Sequence, residues 1–163
     1  MVAAACGSDR SELSPRAEAV GKIKVLEEKM HKSMELDRAL ADSALVVYEK
    51  FVIEFPQDSI SADLLFKAAE IATAIGEYEK ALHYYKQIIA QYPHFKLFPE
   101  SMFLEGSLLD NYMDHDGDAK MIYEEIIEKY PGSAYAHDAK SAISNLGLSD
   151  EELMKQFKEK EKK

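Results

Sequence analysis

The sequence predicts an all-α protein, a right-handed solenoid of antiparallel helix pairs. Three observations carry this expectation. First, one pattern occurs three times: Ala44, Tyr48, Phe51, Val52, Phe55, Pro56; then Ala81, Tyr85, Ile88, Ile89, Tyr92, Pro93; then Ala119, Tyr123, Ile126, Ile127, Tyr130, Pro131. Offsets of 4, 7, 8 and 11 from each Ala trace one face of an α-helix, and the Pro at offset 12 stops it. Second, the copies lie 37 and 38 residues apart, and a fixed period of this size marks stacked helical units that bury their faces against one another. Third, 7 Gly and 5 Pro among 163 residues are few, as suits a chain made mostly of helices.

The elements follow in order. Ser14-Pro15 starts the first helix as a Ser N-cap with Pro at the first helical position. Val20, Ile23, Leu26 and Met30 then recur at helical spacing to about His31. The second helix, from about Leu36 and Asp37 to Phe55, carries the first copy of the pattern. Asp58 and Ser59 are capping candidates in the loop that follows. A third helix over about 62–75 has Leu65, Ala68, Ala69 and Ala72 on one side, small enough for a neighbour to approach closely. Gly76-Glu77 turns the chain into the fourth helix, about 78–92, with the second copy. The connector 93–99 is unusual in holding Phe95, Leu97 and Phe98.

The fifth helix, about 100–113, carries Phe103, Gly106, Leu109 and Tyr112, and the sixth, about 118–130, the third copy. A seventh helix over about 135–146 ends at Gly147, a C-cap residue. Ser149 with Glu152 forms a capping box for a last helix with Leu153, Met154 and Phe157. This divides the chain into residues 1–13 as an N-terminal tether, 14–147 as the repeat domain, and 148–163 as a C-terminal capping helix with a charged tail.

The balance of charge narrows the function. A formal net charge of −10 argues against duplex DNA as a partner. One cysteine allows no disulfide within the chain, and no run of about 18 apolar residues offers a membrane span. No Gly-rich phosphate loop, nucleophile elbow or paired catalytic motif occurs, so the expectation is a protein that is not an enzyme. Asp114, Asp116, Asp118 and Glu125 imitate a calcium loop, but Ala119 stands where that loop needs Gly and already belongs to the repeat. They read as an acidic solvated turn. His31, His83, His94, His115 and His137 share no ligand spacing, so no metal or cofactor is expected, and no small-molecule substrate or nucleic acid as a partner.

The helix pairs resemble the tetratricopeptide repeat. Its second helix has Ala, an aromatic four residues on and Pro at twelve, as in the three copies above. Its first helix has a small residue twelve positions before that Ala. Ala69 fits, as does either Ser107 or Gly106, the latter with one residue inserted in the following turn. The aromatic usual three positions later is missing; Ala72 and Leu109 stand there. The common repeat has 34 residues, and the longer spacing here is similar to bacterial envelope lipoproteins of the BamD and YbgF/CpoB type.

That resemblance gives Cys6 a role. Met1-Val-Ala-Ala-Ala-Cys6-Gly-Ser resembles a lipoprotein processing site, with Ala3 where a large aliphatic residue is usual. Five residues cannot form a signal peptide. Two readings stand: Met1 is internal to a longer signal segment and Cys6 is acylated, or the chain is a cytosolic adaptor with an incidental cysteine. The first implies a scaffold tethered by lipid alone to the periplasmic side of an envelope membrane, of the kind that serves an envelope or outer-membrane assembly complex.

The resemblance also implies a binding face. In the family the first helix of each pair lines the concave side. Carried over by position, that surface holds Asp63, Phe66, Glu70 and Thr73, then Glu100, Phe103, Asp110 and Asn111, then Asp138 and Asn145. Such an acidic groove favours a basic, partly apolar peptide or protein, unless Phe66 and Phe103 lie buried between helices.

Overall fold

A computed structural model describes residues 13–32, 37–148, 151–152, 154–155 and 158. Cys6, Leu36, Ser149, Leu153 and Phe157 lie outside the described residues. Among the described residues seven helices run in sequence: α1 (Pro15–Lys32), α2 (Arg38–Glu54), α3 (Ser61–Ala74), α4 (Tyr78–Gln91), α5 (Phe98–Met113), α6 (Asp116–Lys129) and α7 (Ala134–Asn145). There is no strand among the described residues, and each helix packs on its neighbours in the chain, with α5 also touching α7. This is an α-solenoid. No described helix is long and apolar enough to cross a membrane.

Local chemistry sets the helix ends. Ser14 Oγ accepts from the Ala17 N–H at 3.3 Å, Asp37 caps α2 through the Ala39 N–H at 3.0 Å, and Ser133 caps α7 through the Ala136 N–H at 3.1 Å. The three repeat helices stop alike. Phe55, Tyr92 and Tyr130 have φ/ψ of −131/59, −127/59 and −129/48, and each N–H bonds the carbonyl four residues back. Pro follows in every case and bars the preceding residue from helical geometry. After α3, Gly76 takes φ 79, its N–H bonds Thr73 O, and the Glu77 N–H bonds Ala72 O, the paired closure of a Schellman motif.

Two helix starts differ from the sequence reading. α5 begins at Phe98, so Phe98 and Pro99 leave the connector and enter the first turn, where Pro is tolerated. α6 begins at Asp116, two residues before the expected start, because carboxylates suit the positive end of a helix.

The repeated face is the core. Ala44, Ala81 and Ala119 are fully buried, as are Tyr48, Tyr85 and Tyr123, and Phe51, Ile88 and Ile126. Their neighbours Ile89 and Ile127 and the aromatic caps Phe55, Tyr92 and Tyr130 are half-buried against the same clusters. α1 closes the first end through Ile23, flanked by Val20, Leu26 and Met30. Polar ties align the units: Arg16 with Asp58, Arg38 with Glu77, and Lys67 with Glu27 at 2.6 Å. These pairs are surface-exposed and contribute little stability individually. Two of the buried tyrosines bond their hydroxyls to carboxylates, Tyr48 to Glu27 at 3.1 Å and Tyr84 to Glu49.

The structure decides between Ser107 and Gly106. A Cβ on Gly106 would stand 2.7 Å from Cε1 of Tyr123, so Gly106 is the small residue on which the ring packs. α5 runs further past Gly106 than α3 runs past Ala69, which accounts for the extra residue before the repeat Ala. Gly106→Ala is therefore expected to lower stability by about 1–2 kcal/mol despite the better helix former. Gly21→Ala, with nothing within 4 Å of the added carbon, should raise it by about 0.5–1 kcal/mol. Urea unfolding of both variants checks this; equal shifts of one sign would contradict the packing.

One carboxylate intrudes on this core. Glu105 of α5 is 7% exposed, where its counterpart in α3 is Ala68. Burial pushes its carboxyl up to about 7, with Lys86 of α4 drawing it down and Glu125 of α6 pushing it up. The folded chain thus holds a proton that the unfolded chain releases above about pH 4.3. Stability contributed by this group is full below that range and is lost as pH rises to about 7, by at most about 1.4 kcal/mol per pH unit. Glu105→Gln should remove that slope and melt above the parent protein at pH 8. A variant that melts lower at pH 8 would show the carboxylate to be stabilising.

Candidate functional site: the acidic residues of α3, α5 and α7

The acidic residues placed on the first helices of the pairs lie on α3, α5 and α7. Glu70 of α3 and Glu100 of α5 lie close enough there to feel each other's charge. Burial and then the nearby Glu100 carboxylate raise the Glu70 carboxyl, against a smaller opposing effect of Lys67. Tyr85 lies beneath the same pair, its phenol raised by burial, Glu70 and Glu100. Tyr135 at the start of α7 closes the group, and burial with the Glu100 and Asp138 carboxylates pushes it up to about 12. Two carboxylates therefore lie beside two phenol rings, and among the described residues neither forms a salt bridge.

A second acidic group lies towards the end of the solenoid. A cavity of about 590 Å³ opens between α5, α6 and α7, lined by Phe103, Asp110, Asn111, Asp114, Asp116, Tyr123 and Asn145, among others. Asp110 accepts from the Tyr123 hydroxyl at 3.5 Å. Its carboxyl is raised by burial and by Asp116, against that hydrogen bond. Asp114 is brought to the rim by its left-handed conformation, φ 53, at the α5–α6 turn. Phe103 joins the two groups, its ring 5.6 Å from Tyr123 and 5.8 Å from Tyr135.

The ten residues placed on this face from sequence thus divide. Phe103, Asp110, Asn111 and Asn145 share the cavity, and Glu70, Glu100 and Asp138 share the surroundings of Tyr85 and Tyr135. Phe66 is not a groove residue. It is 7% exposed, packed on Tyr85 and Phe95 at 6.1 Å each, because the apolar connector 95–97 folds over it. Asp63 faces a separate cleft of about 380 Å³ and pairs with Lys96 at 2.8 Å. Thr73 turns its hydroxyl back to Ala69 O at 2.9 Å, as helical Thr commonly does.

Tyr85, Tyr123 and Tyr135 were missed as contributors, as were Asp114 and Asp116. The first two read as core from their spacing, and their rings are core; only their hydroxyl ends reach the acidic groups. Among the described residues no group of three or more His, Cys, Asp and Glu side chains is placed to hold a metal ion. Asp116 and Asp118 occupy the first turn of α6, and Glu125 pairs with Lys129 at 2.6 Å.

The chain has no match among curated proteins. Residues 63–94 and 100–133 match a tetratricopeptide repeat family. The fold is similar to the crystal structure of a tetratricopeptide repeat protein from Parabacteroides merdae ATCC 43184, with a TM-score of 0.54 and 20% sequence identity. The similarity covers 78% of this chain and 53% of that one, so the chain spans about half the length of the structure it matches. The first copy, 44–56, lies outside both matched stretches, although its Ala44 and Tyr48 are as buried as their counterparts. The two matched stretches coincide with the α3–α4 and α5–α6 pairs of the α-solenoid.

Proposed function

We propose that the chain is a non-catalytic protein-interaction scaffold whose concave face receives a basic, partly apolar peptide. The convergence of Glu70 and Glu100 on Tyr85 and Tyr135 carries this reading. Carboxylates crowded together and partly removed from water are poorly satisfied, and an arriving Lys or Arg relieves both conditions. Aromatic side chains beside them supply area for the partner's apolar residues, and the field of the face steers association. The neighbouring cavity, with Asp110 and Phe103, repeats the same combination.

The envelope location is a second part of the proposal. Cys6, after Ala3-Ala4-Ala5 and before Gly7-Ser8, supports a lipid anchor, and the polar residues 8–14 support a tether. The repeat spacing of 37 and 38 residues favours the same class of envelope scaffold. Without the lipid, the same fold serves as a cytosolic adaptor.

Two outcomes are expected. Glu70→Lys combined with Asp110→Lys should weaken binding of Lys- and Arg-rich peptides by about 10–100-fold while leaving the melting temperature near that of the parent. Calorimetric titration measures it, and unchanged affinity would place the site elsewhere. Intact mass and membrane fractionation of the protein made in its own host test the anchor. A mature chain that begins at Cys6 and carries acyl mass is expected; an unmodified chain retaining Met1 would remove the envelope reading and leave the adaptor.

A further inference from the structure

The buried apolar side chains form two clusters rather than one. The larger joins α1 to α4 and takes Leu108 from α5; the smaller joins α5 to α7 through Leu109, Tyr123, Ile126 and Ala139, among others. α5 is the junction, packed on α4 on one side and on α6 and α7 on the other. Glu105 sits at that junction. It lies one helical turn from Leu108 of the first cluster and one turn from Met102 and Leu109 of the second. It is buried, and the corresponding place on α3 is Ala68, inside the first cluster. Lys86 of α4 and Glu125 of α6 are the charges that act on it, and no charged group of α7 is among them. Among the described residues it forms no salt bridge, and no hydrogen bond contributes to its titration.

We infer that Glu105 is a proton-operated latch between the two halves of the solenoid: protonated, it keeps α5–α7 closed on α4, and ionised, it lets α5–α7 open while α1–α4 stay folded. A neutral carboxyl is tolerated at the junction, whereas a buried carboxylate without a bonded cation is not. Burial pushes the group up to about 7, so the change falls near neutral pH. Its folded value lies above its unfolded one. The stability it contributes is therefore complete below about pH 4.3 and is lost as pH rises to about 7. The cost falls on the second half because the first has a core of its own, and segments with separate cores open separately. Glu70 lies on α3 while Phe103 and Asp110 lie on α5, so opening also parts the acidic groups. That last consequence rests on the peptide-binding reading above; the latch does not.

Hydrogen exchange of the full chain, read by mass spectrometry as protection factors at pH 5 and pH 8, tests this. Protection over residues 98–145 is expected to fall by about 10–100-fold between the two conditions, while protection over 38–91 stays within about threefold. Glu105→Gln, and Glu105→Ala, which places on α5 the residue α3 has, leave all 5 histidines in place. Both should hold 98–145 at pH 8 near its protection at pH 5. No fall over 98–145, an equal fall over both halves, or a fall that both variants retain would overturn the latch. No peptide is present, so failure here leaves the binding reading standing, and a failed peptide titration leaves the latch standing.

Discussion

The ring of Tyr123 occupies the space a side chain on Gly106 would need, and the rest of the solenoid depends on that kind of approach. Its nearest atom stands 2.7 Å from the site of the missing carbon. A first helix with a small residue at this point lets the second helix come close enough to bury Ala119, Tyr123 and Ile126 together. The preceding pair uses Ala69 with Ala81, Tyr85 and Ile88, all buried in one cluster. Dense packing of this sort tolerates little change of volume. Because each unit is completed by its neighbours, stability is shared along the chain, and the ends need covers. α1, through Ile23, supplies one of them.

The same packing positions the acidic groups. Tyr85 and Tyr123 reach across their pairs, so their rings lie in the core while their hydroxyl ends stand beside Glu70, Glu100 and Asp110. The acidic groups are therefore mounted on rigid helices rather than on loops. Glu70 and Asp110 are raised for the same reason, burial against the aromatic layer combined with a neighbouring carboxylate. The acidic groups are thus set in place by the elements that hold the fold together. Glu105 shows the alternative. It projects from the same helix, α5, into the space between α4 and α6, where its charge is a burden on folding.

Much of the fold was legible because its signals are local. Three identical sets of offsets, each closed by Pro, determine helix face, helix end and period at once, and the caps Phe55, Tyr92 and Tyr130 show how uniformly the chain obeys them. The face was less legible, since it depends on which direction each first helix is rotated and on what the connectors cover. Phe66 and Phe103 occupy matching positions 37 residues apart, yet the connector residue Phe95 covers the first, while Tyr135 lies beside the second. Lys96 removes Asp63 from the groove in the same way. Periodicity could not reveal Tyr135, which belongs to a helix without the repeated pattern, nor Asp114, which is brought in by a left-handed turn of one residue.

The most direct test of the account is an amide-resolved NMR titration of the protein with a peptide rich in Lys and Arg and carrying one or two aliphatic residues. Shifts are expected to concentrate on α3, α5 and α7, strongest around Glu70, Glu100, Phe103 and Asp110, and to shrink with added salt. Shifts confined to the outer faces of α2, α4 and α6, or none at millimolar peptide, would contradict it.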